Sequence, residues 1–455
     1  MPTRVQSFGK MRAAVVVESK DSQLALRFSS RSSYSESMQA PNPSRSRSLR
    51  FFALVGPGVL IAATGVGAGD LATAAISGSK LGLAVLWAAL LGTFFKYVLT
   101  EGLARYQLAS GETLLQGAMT RLGPVPRVLF GAYLLLWTFF VANSLMSAAG
   151  IALHAMLPVF AKASTGQIVF GALQSLVGLA LVRWGGFAVF EKVMGVCIGV
   201  MFVVVLTTAV MLRPDVPALV RGLFIPSVPA EPVDSLQWTI ALMGGIGGTL
   251  TVLCYGYWIR EKDRHGPSFL SHCRIDLATG YVMTGLFGVA MVVIGTQIQV
   301  QGKGARLIVE LAESLRGPMG PWGRWAFLLG AWGAIFSSLL GVWQSVPYVF
   351  TDYLGLLHTR KGEAPPEVRT SSRPYKAYLY AIALVPMLGL WMPFSQIQKV
   401  YAIFGAAFMP LLALCLLLLN GRLLPDAKLR SHWTTQALLV GILLFFAWAG
   451  YRGVR

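Results

Sequence analysis

The chain has 455 residues, 55% of them hydrophobic and only 13% charged, with a formal net charge of +19 and a mean hydropathy of +0.62. A soluble domain carries about 25% charged residues, so this is not the composition of a soluble enzyme or binding module. Nor does the positive charge point to nucleic acid, because Lys and Arg gather in alternate loops between apolar runs, the positive-inside pattern of a membrane protein.

Residues 1–50 are rich in Ser and Arg, with nine basic and three acidic side chains. Such a segment cannot bury a core, and a disordered tail is expected there. Transit peptides share this composition, but no cleavage site is visible. Met38 is an alternative start to Met1. From residue 51 onward eleven apolar runs follow, at about 51–79, 82–104, 128–157, 167–186, 190–212, 236–259, 277–299, 325–352, 376–392, 398–420 and 433–451. Each is near the roughly 20 residues that cross a bilayer as a helix. A barrel would show shorter, alternating segments. The expected fold class is therefore an all-α polytopic membrane protein of eleven transmembrane helices, with one transporter domain over 51–455.

An N-terminus in the cytoplasm puts the clusters Arg260/Lys262/Arg264/Arg274 and Arg360/Lys361/Arg369/Arg373/Lys376 on the cytoplasmic side. Eleven crossings then place the C-terminus outside. The expected location is the bacterial inner (plasma) membrane, with the lipid bilayer as a partner and no nucleic acid. Cys197, Cys254, Cys273 and Cys415 show no metal-type spacing or disulfide framework.

Two runs are interrupted. The first carries Gly65, Gly67 and Gly69, followed at once by Asp70; the sixth reads Gly244-Gly245-Ile246-Gly247-Gly248-Thr249-Leu250-Thr251. Helix breaks at membrane depth are tolerated where they line a cavity or are buried in protein. Paired breaks at corresponding positions of two halves point to a transporter binding site. They lie five spans apart, so 51–213 and 236–420 read as inverted repeats, with 433–451 as an extra helix. The competing reading of the glycines is close helix packing, since Gly244 and Gly248 fit Gly-x-x-x-Gly.

Asp70 reads two ways. A carboxylate inside a membrane is a functional candidate; it also directly precedes a restarting helix, where Asp is a favoured N-cap. Thr251 adds a hydroxyl. Lys96, in the second run, pairs with a neighbouring helix, snorkels, or pairs with Glu101. Glu101 and Arg105 are spaced for an ion pair. Tyr255, Tyr257 and Trp258 follow the second break as interface anchors or as an aromatic wall for an organic cation. Gly65-x-Gly67-x-Gly69 is no nucleotide fingerprint, lacking a βαβ context. No catalytic set is visible, so no enzyme activity and no cofactor are expected.

The frame Gly56-Pro57-Gly58 with Leu71-Ala72-Thr73, then Ala109-Ser110-Gly111-Glu112-Thr113-Leu114, Ile246-Gly247-Gly248-Thr249 and Arg274-Ile275-Asp276, resembles the Nramp family of divalent-metal transporters. The resemblance implies a LeuT-like 5+5 inverted repeat with broken helices 1 and 6 and a midplane site between them. It implies that Thr64 and Gly248 present carbonyls to a substrate ion. The family's Asp-Pro-Gly-Asn is Gly67-Ala68-Gly69-Asp70 here, so the metal-binding Asp falls on Gly67 and the Asn on Asp70. The family's Met-Pro-His-Asn is Thr251-Val252-Leu253-Cys254, its later histidine aligns with Trp258, and 128–157 lacks the acids of its proton route. The implied function is a secondary transporter of a small cation, with Asp70 the remaining metal ligand for Mn²⁺, Mg²⁺ or another divalent ion. Weak or absent proton coupling is expected. The alternatives are a transporter of a small organic cation and a non-transporting membrane receptor.

Overall fold

Helix α1 (Pro57–Gly65) begins at a proline, tolerated in a first turn because those N–H groups have no intrahelical partner. It stops among glycines: the Val66 N–H still reaches the Ala62 carbonyl at 2.7 Å, but the Gly67 N–H turns back to Gly65 at 3.0 Å. A π turn over Gly69–Thr73 restarts the rod as α2 (Ala74–Leu81). The computed structural model describes residues 57–67, 69–297, 307–314, 316–359, 368–421, 423–424 and 429–454. The tail expected to be disordered lies outside these. The described residues belong to one unit, Leu54–Arg455.

Helices α3 (Leu86–Ser110), α4 (Leu114–Arg121), α5 (Pro124–Met156), α6 (Ala163–Trp184), α7 (Gly186–Met211) and the short α8 (Val216–Phe224) follow. The second break then repeats the logic of the first. Helix α9 (Ser235–Gly245) ends where Gly247 and Gly248 take φ of +76° and +78°. L-residues with a Cβ resist that region and glycine does not. A 3₁₀ turn, Leu250–Leu253, leads into α10 (Cys254–Glu261). The rest comprises α11 (Leu270–Gly295), α12 (Leu307–Ser314), α13 (Arg316–His358, kinked at Gly320), α14 (Arg373–Leu384), α15 (Phe394–Leu419) and α16 (Trp433–Val454).

Among the described residues there is no strand, and nine helical stretches are long and apolar enough to cross a membrane. The all-helical expectation is met. The count of eleven is not reached on these criteria, for two local reasons. The second half of the first span runs on with the second as one stretch, Asp70–Ser110, and α14 is too short to qualify by itself.

The core is the bundle of α1, α3, α5, α7, α9, α11, α13 and α15. Helix α13 packs on α7, α5 and α1, α11 on α3, α1 and α2, and α9 on α15. Helix α16 lies against α15 and α3, with Phe445 meeting Phe95 edge-on at 5.9 Å. The outward faces carry Leu129, Val203, Leu286, Leu411 and Leu444, all exposed. A soluble protein rarely shows so much contiguous apolar surface; here it matches a hydrocarbon surround.

Candidate functional site at the paired helix breaks

The two breaks meet backbone to backbone. A Cβ added at Gly65 would stand 2.7 Å from the Gly247 carbonyl carbon and 2.9 Å from the Gly248 nitrogen, so only glycine allows the approach. The close-packing reading of Gly244 also holds, because it abuts Ala402 and Ala406 of α15. Ending α9 strands its last carbonyls, as any helix end does. Lys96 of α3 answers them: its ammonium, 1% exposed, donates to the Gly244 carbonyl at 2.8 Å and to that of Ile246. Asp70, wholly buried, accepts the Gly247 N–H on Oδ1 at 3.0 Å. The Ile246 carbonyl and the Gly247 N–H belong to one peptide group. That peptide is held by a cation at its oxygen and an anion at its nitrogen.

Asp70 therefore reaches across to the other broken helix. Helix α2 takes Thr73 as its N-cap, with no side-chain cap bond, so the capping reading of Asp70 has no support in its bonding. The second carboxylate oxygen, Oδ2, is buried with no hydrogen-bond partner. Among the described residues no group of three or more His, Cys, Asp and Glu side chains converges, so this site offers one carboxylate.

The other candidates are placed as follows. The Thr64 carbonyl accepts from Ser338 of α13 at 2.5 Å, and the Thr64 hydroxyl is buried and unpartnered. Gly67 offers no side chain, and one added there would collide with Ser338; its carbonyl accepts the Leu71 N–H at 2.9 Å. Gly248 packs against the Thr251 hydroxyl, which accepts the Thr249 N–H at 3.3 Å. Around them stand groups that sequence reasoning missed. Trp137 of α5 donates to the Thr249 hydroxyl at 2.6 Å. Gln398 of α15 donates to Thr73 at 2.9 Å and accepts from Ser144 of α5. Tyr281 of α11 pairs with Thr100 at 2.7 Å. Their common signal in the sequence was a polar group inside an apolar run.

The aromatic trio does something else. Tyr255, Tyr257 and Trp258 are all buried, which corrects the interface-anchor expectation. Their polar ends engage Asp276 at 3.1 Å, Asp352 at 2.8 Å and Gln344 at 3.0 Å, and Tyr257 stacks on Tyr348. These bonds lock α10 to α11 and α13. Asp352 also accepts from Thr113 at 2.8 Å and Gln116 at 3.1 Å, the two members of the α4 capping box. Glu101 pairs with Arg105 at 2.6 Å and Arg274 at 2.8 Å, as the spacing to Arg105 predicted, and not with Lys96.

At the other end of α9 sits a clasp. Asp234 Oδ2 lies 3.5 Å from Lys80 at the end of α2 and 3.6 Å from Lys399 of α15. Both ammonium groups also lie over the Trp238 ring, at 5.5 and 5.7 Å. Partial burial would raise the Asp234 pKa; the Trp238 N–H and the two lysines outweigh it and hold it below the usual carboxylate value.

This arrangement can be compared with known proteins. A family model described as natural resistance-associated macrophage protein-like, Nramp, matches residues 58–453. An uncharacterized protein of Pasteurella multocida is 24% identical over 69% of this chain and 73% of its own length. A "divalent metal cation transporter MntH 1" of Pseudomonas aeruginosa is 34% identical over 48% of each chain. In three dimensions the Eremococcus coleocola manganese transporter aligns with a TM-score of 0.65 at 16% identity, over 90% of this chain and 88% of that one. MhsT, solved with L-phenylalanine, aligns at 0.57 and 13% identity, over 89% and 97%. The fold is LeuT-like, and with the match extending over most of its length the chain belongs to the Nramp family.

Proposed function

We propose that this chain is a secondary transporter that carries a small cation through the gap between its paired breaks, with weak or absent proton coupling. One observation carries the reading: Asp70 Oδ2 is buried, unpartnered and placed where the two broken helices meet. A buried acceptor left without a donor is costly, and a cation would satisfy it. Asp70, the Thr251 hydroxyl and carbonyls near Thr64 and Gly248 are hard oxygens suited to Mg²⁺ or Mn²⁺. The names of the MntH relatives point to a divalent metal. The apolar run 128–157, which α5 carries, offers Asn143 and Ser144 but no acid for a proton route. The two halves, 51–213 and 236–420, would rearrange as inverted repeats around the site, with the N-terminus in the cytoplasm of a bacterial cell.

A second reading, a singly charged organic cation, is favoured by the Lys96 ammonium already seated at the second break. Calorimetric titration of the purified chain with Mn²⁺, Mg²⁺ and methylammonium tests the cation reading. At least one should bind, and Asp70→Ala should abolish it. Binding that survives Asp70→Ala would defeat the assignment.

A further inference from the structure

We infer that Lys96 is a tethered cation that fills the carbonyl half of the site, shuts out divalent metal ions and leaves Asp70 to a substrate of single positive charge. The inference rests on the transport reading and names its substrate class.

Stranded carbonyls need donors, but a donor need not be charged. Elsewhere in this chain neutral amides donate to buried carbonyls within helices. Gln107 donates to the Gly256 carbonyl at 2.6 Å, Asn420 to Gly102 at 2.7 Å and Gln174 to Ala149 at 2.8 Å. At the second break the donor is an ammonium, 1% exposed, and it shares one peptide group with the site's carboxylate. A charge at membrane depth is expensive and marks function by default. The Lys96 stem lies beside Gly247, where an added Cβ would be 3.4 Å from its Cδ, 3.3 Å from Tyr281 and 3.3 Å from Thr284.

The charge count then sets selectivity. Asp70 and Lys96 cancel, so a monovalent ion leaves the buried site with one net positive charge and a divalent ion leaves it with two. Coulomb repulsion from Lys96 is twice as large for the divalent ion, in surroundings of low dielectric constant. The Gly244 and Ile246 carbonyls, freed by the second break, are already taken by Lys96.

The test is Mn²⁺ calorimetry on the full chain in nanodiscs, for wild type, Lys96→Gln, Lys96→Met and Lys96→Arg. The Gln variant keeps a donor for the carbonyls, which guards against loss of folding. Gln and Met should bind Mn²⁺ at least tenfold tighter than wild type, and Arg should not. No gain in Gln or Met, or an equal gain in Arg, overturns the inference. Thermal shifts of the wild type give an independent arm: methylammonium should stabilise it more than Mn²⁺, and the reverse order overturns the inference whatever the variants do. Methylammonium uptake by wild-type proteoliposomes reads transport separately. Uptake with no Mn²⁺ gain in the variants defeats the inference alone; a gain with no cation uptake defeats the transport reading alone.

Discussion

At the scale of single residues, the site is defined by what glycine permits and what one carboxylate lacks. Gly67 stands where the family's metal ligand would be, yet Ser338 occupies the space that its side chain would need. Restoring the ligand is therefore a packing problem first. Gly67→Asp should lower stability by about 2 kcal/mol, the range of overpacking in a close-packed core, read as a fall in Tm. Gly67→Asp with Ser338→Gly should recover most of it; no recovery would mean that the clash lies elsewhere. Asp70→Asn keeps the volume and an oxygen for the Gly247 N–H, so folding should be retained within about 1 kcal/mol while cation binding falls at least tenfold. Asp70 was legible in the sequence because a carboxylate stands out in a glycine-rich apolar run. The target of Lys96 was not, because its acceptors are backbone carbonyls 148 and 150 residues away, and no residue type marks a stranded carbonyl.

At the scale of elements, two side-chain clusters fasten the broken helices at their ends. Asp352 gathers Thr113, Gln116 and Tyr257 from α4 and α10. Asp352→Ala orphans three buried donors, at a cost of about 1–3 kcal/mol each before relaxation. A loss of about 3 kcal/mol in thermal unfolding is expected; a change below 0.5 kcal/mol would show that the cluster is idle. The Asp234 clasp adds a dependence on pH. Its carboxyl is held below the ordinary value, so its contribution is present above the unfolded carboxylic pKa of about 4 and fades as pH falls through the lower folded value. Asp234→Asn should cost roughly 1 kcal/mol at neutral pH, and the difference in Tm from wild type should narrow as pH falls below about 4; a difference constant with pH contradicts this. The two breaks themselves were readable, since both are glycine clusters in apolar runs. The role of Tyr255, Tyr257 and Trp258 was not, because interface anchors and buried locks use the same residue types. What separates them here is Asp276, Asp352 and Gln344, distant in sequence.

At the scale of the whole molecule, composition and run length were enough for an all-helical membrane fold, the spacing of the breaks was enough for inverted repeats, and the LeuT-like arrangement came from the resemblance to the Nramp family. The number of spans was less legible, because a broken helix and its neighbour run together and a short helix carries part of one crossing. Family membership brings an Nramp architecture to a site with one carboxylate, where Lys96 and Asp70 hold opposite ends of one peptide group. The central claim is that a cation crosses the membrane by way of Asp70. Its most direct test is uptake of Mn²⁺, Mg²⁺ and methylammonium by proteoliposomes containing an internal pH dye, wild type against Asp70→Asn. Passage by way of Asp70 predicts saturable uptake of at least one cation by wild type, a loss of tenfold or more in Asp70→Asn, and little accompanying acidification. Uptake that is unchanged in Asp70→Asn, or absent for every cation in wild type, would contradict it.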